Sequence, residues 1–151
     1  MQLLRTSNTH ADFKALTCLL DSELSSRYGT LQKQYDTHNV IEPIDTALVG
    51  YDEMEPVACG CFKVISHDTV EIKRMFVSSK SRRKGYSRTL LGALEQWAYE
   101  CGYTKAVLET GKGQPEAIAL YTKCGYKIIP NYGAYVGLEN SVCMQKALKE
   151  H

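Results

Sequence analysis

Thr69-Val70-Glu71-Ile72-Lys73-Arg74-Met75-Phe76-Val77 leads through Ser78-Ser79-Lys80-Ser81 into Arg82-Arg83-Lys84-Gly85-Tyr86-Ser87-Arg88. The chain then enters a run in which Leu90, Leu91, Leu94, Trp97, Ala98 and Cys101 recur at helical spacing. The first nine residues read as a strand, and the last run as an amphipathic helix stopped by Gly102. Within the strand, Val70 and Ile72 share one parity while Met75 and Val77 share the other. Such a slip in the side-chain period of two predicts a β-bulge near Lys73 or Arg74, or else a strand buried on both faces.

The flanking elements alternate. Residues 3–5 predict a short strand and 12–24 a helix with Phe13, Leu16, Leu19, Leu20 and Leu24 along one face, followed by a polar stretch to about Ile44. Residues 46–51 and 57–65 predict two antiparallel strands around Asp52-Glu53-Met54-Glu55-Pro56, whose acidic and proline residues mark a turn. A strand at 105–110, a helix at 114–123 stopped by Gly125, and strands at 126–129 and 142–147 complete the pattern. Antiparallel strands first and a strand-helix-strand unit in the middle predict an α/β fold with a mixed sheet and helices on both faces. At 151 residues, with no repeat or linker, residues 1–151 predict a single domain.

The chain between strand and helix has the chemistry of an anion cradle. A helix N-terminus presents N–H groups without intrahelical acceptors and the positive end of the helix dipole. Gly85 and the small Ser87 let phosphate oxygens approach the backbone, and Arg82, Arg83, Lys84 and Arg88 add mobile positive charge. The spacing fits neither a Walker loop nor the three-glycine dinucleotide fingerprint. A solvated basic turn that caps a helix is the plainer alternative.

Arg82-x-x-Gly85-x-Ser87 after a strand resembles the acyl-CoA loop of the GNAT superfamily of N-acetyltransferases, whose last position is Gly or Ala where this chain has Ser. Glu71-Ile72-Lys73-Arg74-Met75-Phe76-Val77 resembles that family's bulged fourth strand. Leu108-Glu109-Thr110 sits where its fifth strand lies, and Ala117-Ile118-Ala119-Leu120-Tyr121-Thr122-Lys123-Cys124-Gly125-Tyr126 resembles its late helix and following strand. The resemblance spans about half the chain. It implies the acyl-CoA N-acyltransferase fold, a mostly antiparallel sheet splayed at the bulged strand, and acetyl-CoA as the acyl-donating cosubstrate.

The resemblance also implies site residues. Backbone groups of the segment Met75, Phe76 and Val77 would hold the pantetheine arm. Backbone N–H groups from Arg83 to Arg88, with Gly85, Tyr86 and Ser87 among them, would take the pyrophosphate beside Arg82 and Lys84. Gln114 stands where many relatives carry an Asn lining the cofactor. Tyr121 matches the family's tyrosine near the sulfur, which donates a proton or hydrogen bond to the departing thiolate, although a buried core tyrosine would look the same. Glu71 resembles, in its spacing to the loop, the strand glutamate that acts as general base in the histone-acetylating branch; a solvent-facing strand carboxylate is the alternative. The implied reaction is direct transfer of acetyl to a primary amine of a small molecule or peptide.

Other features bound the remaining classes. Net charge is +1, so no global field draws the chain to nucleic acid, and the one short basic cluster is poor support for a nucleic-acid-binding module. A noncatalytic acyl-CoA-binding regulatory module would need neither Tyr121 nor Glu71. His10, His38, His67 and His151 show no metal-ligand spacing, so no metal is expected. Cys59 and Cys61 share a strand face where packing is expected, and no activating pattern surrounds Cys124. The six cysteines read as buried free thiols. No signal-peptide run opens the sequence and no stretch approaches a bilayer span, so the expectation is a cytoplasmic protein with no membrane partner. Acidic Asp36, Glu42, Asp45, Asp52, Glu53 and Glu55 would attract a cationic amine, and Tyr132, Gly133 and Tyr135 form an aromatic loop able to cover one. Ile129-Pro130-Asn131-Tyr132-Gly133-Ala134-Tyr135 is similar to small bacterial members of the superfamily. Homodimers are common in that superfamily, so the resemblance also allows a dimer.

Overall fold

The computed structural model describes residues 1–28 and 42–149. Asp36, His38 and His151 lie outside the described residues. Seven strands and three α-helices follow in the order β1 (Gln2–Thr6), α1 (Ala11–Tyr28), β2 (Ala47–Asp52), β3 (Glu55–Val64), β4 (Thr69–Val77), α2 (Tyr86–Glu100), β5 (Lys105–Gly111), α3 (Pro115–Lys123), β6 (Lys127–Ile129) and β7 (Ser141–Ala147). The sheet order is β1-β2-β3-β4-β5-β7-β6. Pairs β1/β2, β2/β3, β5/β7 and β6/β7 are antiparallel, whereas β4/β5 is parallel. A parallel pair needs a crossover, and α2 supplies it. The mixed, mostly antiparallel sheet expected from the sequence is therefore present. The chain divides into two compact units, Met1–Cys61 with Arg74–Leu91, and Phe62–Lys73 with Gly92–His151.

In the first unit, α1 buries Phe13 and Leu16 against Ala47, Val49, Cys59, Cys61 and Phe76, with Leu20 at the margin. Each such side chain contributes about 1.5–3 kcal/mol of burial. Leu19, expected on the same face, is 54% exposed. At ~100° per residue, Phe13, Leu16, Leu20 and Leu24 fall within one stripe and Leu19 turns about 100° away from it. Cys18 and Cys101 are likewise exposed, so the six free thiols are not uniformly buried.

The β2/β3 hairpin turns on Glu53 (φ 49°) and Met54 (φ 68°), the two left-handed residues of a primed two-residue turn. Its register shifts between Gly50↔Ala58 and Tyr51↔Pro56, so Val57 is the extra residue. The carbonyl of Val57 accepts a bond from the Ser78 N–H at 2.8 Å, at the exit of β4.

Of the two readings of β4, the structure has the bulge: Arg74 sits inside the strand at φ 60°. A left-handed side-chain-bearing residue costs about 1–2 kcal/mol. Arg74 is held there on both sides. Its Nη2 donates to Asp21 Oδ1 at 2.8 Å and to the Thr17 carbonyl at 3.3 Å, both on α1, and its own carbonyl accepts from Cys59 Sγ at 3.5 Å.

In the second unit, Phe62 leaves β3 on the face opposite to Cys61 and meets Trp97 of α2 edge-on at 5.7 Å. Glu95 of α2, 2% exposed, accepts from Tyr126 Oη at 2.8 Å and from Lys146 Nζ at 2.9 Å, which satisfies both oxygens of a buried carboxylate. The β4/β5 ladder runs from Thr69↔Lys105 to Ile72↔Leu108, and both strands continue beyond it.

Candidate active site

The first unit carries the loop. Arg83 (φ 67°) and Gly85 (φ 78°) are both left-handed, and α2 begins at Tyr86. The Gly85 carbonyl accepts from both the N–H and the hydroxyl of Thr89 at 3.1 Å, which makes Gly85 the residue that opens the helix. The N–H groups of Tyr86, Ser87 and Arg88 lie in the first turn, where a helix has no acceptors of its own. A Cβ built on Gly85 would meet no atom within 4 Å. Glycine is required there by backbone conformation, and the space above it is open to a ligand.

The four cations of this loop are not equivalent, which corrects the expectation of uniformly mobile charge. Arg82 is committed: Nε donates to the Val77 carbonyl at 3.0 Å, Nη2 to Glu23 Oε2 at 2.7 Å, and the guanidinium lies over the Phe76 ring at 5.7 Å. Lys84 stands 3.9 Å from Asp52 Oδ2, which also accepts from Tyr86 Oη at 2.7 Å. Lys80 pairs with Glu55. Among the described residues, Arg83 and Arg88 are exposed and make no ion pair. Met75 is half-buried, while Phe76 and Val77 are buried in the strand before the loop.

The second unit carries the proton-handling groups. Glu71 is 6% exposed, which overturns the solvent-facing alternative. Its Oε2 accepts from Tyr132 Oη at 2.5 Å, and Lys73 Nζ lies 3.8 Å from Oε1. Burial first, then the Glu71 carboxylate, pushes the Tyr132 phenol far above its ordinary range. The same causes, in the same order, raise Tyr135, with Glu109 adding to them. Tyr121 is buried on α3, edge-on to Tyr126 at 5.8 Å, and burial raises its phenol as well, with smaller contributions from Cys124 and Glu109. Such a phenol keeps its proton at neutral pH and has it available to donate in a hydrogen bond. Gln114 caps α3 through its backbone, its carbonyl accepting from Ala117 and Ile118, with no capping bond from its side chain.

Glu109 went unnoticed as a functional candidate in the sequence. It sits on β5 opposite Cys143 of β7, with Ser141 bonded to its carboxylate. Oε2 is buried and has no hydrogen-bond partner among the described residues. Burial lifts its carboxyl from 4.5 to about 7, with Ser141 opposing, Glu71 adding and Lys73 opposing the rise. No local signal marks it: Val107 and Leu108 precede Glu109, Thr110 and Gly111 follow it, and the groups around its carboxyl come from β7. A carboxyl that titrates near neutrality and keeps one oxygen unengaged is equipped to accept a proton.

The other candidates do not assemble. His10 accepts the Asp12 N–H at the start of α1, and His67 is exposed beside Asp68. Among the described residues no three His, Cys, Asp or Glu side chains form a metal-holding group, and no described helix is long and apolar enough to cross a membrane. Burial pushes the Cys59 thiol up to about 12, so it is inert.

Comparison with known proteins bears on both halves. The model of the acetyltransferase (GNAT) family matches residues 13–126. An IAA acetyltransferase of Azospirillum brasilense is 32% identical over 114 residues, 75% of this chain and 74% of that protein. A Xenopus tropicalis protein assigned as N-acetyltransferase 14 is 41% identical over 73 residues, 46% of this chain but only 35% of that protein. A crystal structure from Klebsiella pneumoniae, assigned as an acyl-CoA N-acyltransferase, superposes with a TM-score of 0.81 at 29% identity over 98% of this chain and 97% of that one. A GNAT acetyltransferase of Elizabethkingia anophelis, solved with acetyl-CoA bound, shares the fold at a TM-score of 0.60 and 21% identity over 68% of this chain and 76% of that one. With a family match over most of its length, covering both the bulged strand and the glycine-opened helix, this chain belongs to the GNAT family of acetyltransferases.

Proposed function

We propose that this chain transfers acetyl from acetyl-CoA to a primary amine of a small molecule or peptide by direct transfer, with Glu109 as proton acceptor and Tyr121 as proton donor. Acetyl-CoA supplies the activated acyl group as a thioester. The loop suits its pyrophosphate: the N–H groups opening α2, the clear space over Gly85 and the exposed Arg83 and Arg88 all favour a dianionic group. An amine attacks a carbonyl as its free base, and as the new C–N bond forms its nitrogen must give up a proton. Glu109, half-ionised near neutrality with Oε2 unengaged, is suited to take that proton directly or through one water. The departing thiolate needs a proton in return, and the phenol of Tyr121, which burial keeps protonated, is suited to donate a hydrogen bond or a proton to it.

The unpartnered Oε2 of Glu109 is the observation that carries this reading. It also weighs against the noncatalytic acyl-CoA-binding module, because a pure binder has no use for an unsatisfied buried carboxylate. The family match over residues 13–126 draws on both compact units, which supports treating residues 1–151 as one acetyltransferase domain. Six free cysteines favour a reducing, cytoplasmic setting. The test is release of free CoA from acetyl-CoA across a panel of amines, amino acids, polyamines and peptides. If acetyl-CoA protects the protein thermally and no amine is acetylated, the catalytic part fails and the binding module stands.

A further inference from the structure

Residues 131–138, between β6 and β7, form a strap with its own internal bonding. Asn131 Nδ2 donates to the carbonyls of Tyr135 and Leu138, each at 3.1 Å. The Tyr135 N–H returns to the Tyr132 carbonyl at 3.0 Å, and the Leu138 N–H to the Tyr135 carbonyl at 3.1 Å. Gly133 (φ 53°) and Gly137 (φ 85°) permit the two sharp turns. The rings of Tyr132 and Tyr135 meet edge-on at 5.5 Å. The strap is thus internally braced, and both phenols converge on Glu71.

Glu71 accepts from the Tyr132 phenol at one oxygen and has Lys73 Nζ 3.8 Å from the other. It is a good anchor. We propose that Glu71 is a positioning residue that pins the 131–138 strap through Tyr132, and that the pinned strap sets where the acceptor amine sits relative to Glu109. Two observations connect strap and base: the strap leads directly into Ser141, which bonds Glu109, and the Tyr132 N–H reaches Cys143, the register partner of Glu109. The inference rests on the acetyl-transfer reading above, but its structural half can be tested without turnover.

The groups facing the Glu71/Glu109 pair are Lys73 on β4, Tyr132 and Tyr135 on the strap, Cys143 and Ser141 on β7, and Tyr121 on α3. Glu71→Gln keeps an oxygen for the Tyr132 hydroxyl but removes the charge, whereas Glu71→Ala and Tyr132→Phe remove the bond. Amide hydrogen exchange across 131–138 should speed up in Glu71→Ala and Tyr132→Phe and stay near wild type in Glu71→Gln. In turnover, Glu71→Ala and Tyr132→Phe should raise the acceptor KM about tenfold or more, as loss of a buried charge-assisted bond does, with acetyl-CoA affinity retained. Glu71→Gln should lose only about threefold in kcat/KM, and its acid limb should move to lower pH, since a negative neighbour that raises Glu109 is gone. The proposal is overturned if Glu71→Gln is as inactive as Glu109→Gln and has no acid limb, or if strap exchange is unchanged in Tyr132→Phe. Normal strap loosening in a protein that acetylates no amine would sink the acetyl-transfer reading and leave the anchor standing.

Discussion

Glu109→Gln separates a base from a spectator carboxylate. With the carboxyl lifted to about 7, roughly a tenth of Glu109 is ionised at pH 6 and about nine tenths at pH 8. If only the carboxylate form turns over, kcat/KM gains close to tenfold across that interval on account of Glu109 alone. The acceptor amine titrates too, and would tilt the raw profile in the same direction. The quantity to measure is therefore the ratio of wild type to Glu109→Gln at each pH, in which the amine's own ionisation cancels. Initial rates of thiol release from pH 5.5 to 8.5, with acetyl-CoA saturating, give that ratio. It should rise about tenfold between pH 6 and 8 and then level off, with a plateau of order 10²–10⁴, the usual worth of a general base. A flat ratio would show that no group titrating near 7 is lost with Glu109. A plateau below about threefold would show that water takes the proton unaided, and either result refutes the assignment.

Tyr121→Phe should lower kcat by about 10- to 100-fold with acetyl-CoA affinity retained by calorimetry, since the ring and its packing on Tyr126 remain and only the proton donor goes; unchanged turnover would remove Tyr121 from the mechanism. Gly85→Glu should abolish calorimetric binding of CoA, because it sets a carboxylate in the space where a pyrophosphate fits and strains a left-handed position by about 1–2 kcal/mol. The fold should survive, as no protein atom lies within reach of the new Cβ, and CoA binding at wild-type strength would refute the cradle. Tyr126→Phe removes a hydrogen-bond donor from the buried Glu95 and should cost about 1–3 kcal/mol in urea unfolding; a loss under about 0.5 kcal/mol would show that the hydroxyl is dispensable.

What local pattern decides was legible in the sequence. The parity slip between Ile72 and Met75 located the left-handed Arg74, and Gly102 and Gly125 marked helix ends where each adopts a positive φ. The error at Leu19 came from counting apolar residues without tracking their angle around the helix. Charge was harder to read, because a cation's availability depends on partners far away in sequence. Glu23, 59 residues from Arg82, takes that guanidinium, and Asp52, 34 residues from Tyr86, takes its hydroxyl and stands beside Lys84. A run of four basic residues thus resolves into two that brace the loop and two that face outward.

The same dependence on distant partners decides between the two glutamates. Position favoured Glu71, since it stands at the spacing of a known strand base, and nothing local distinguished Glu109 from an ordinary strand carboxylate. Tyr132, 61 residues on, occupies one oxygen of Glu71 while Lys73 attends the other. The surroundings of Glu109 come from β7, where register with Cys143 and bonding to Ser141 leave Oε2 buried and without a partner among the described residues. Proton acceptance requires a lone pair that is not already spent on a donor, and a pKa close enough to neutrality for both forms to be populated. Glu109 meets both conditions, and Glu71 is already spoken for by the strap it holds.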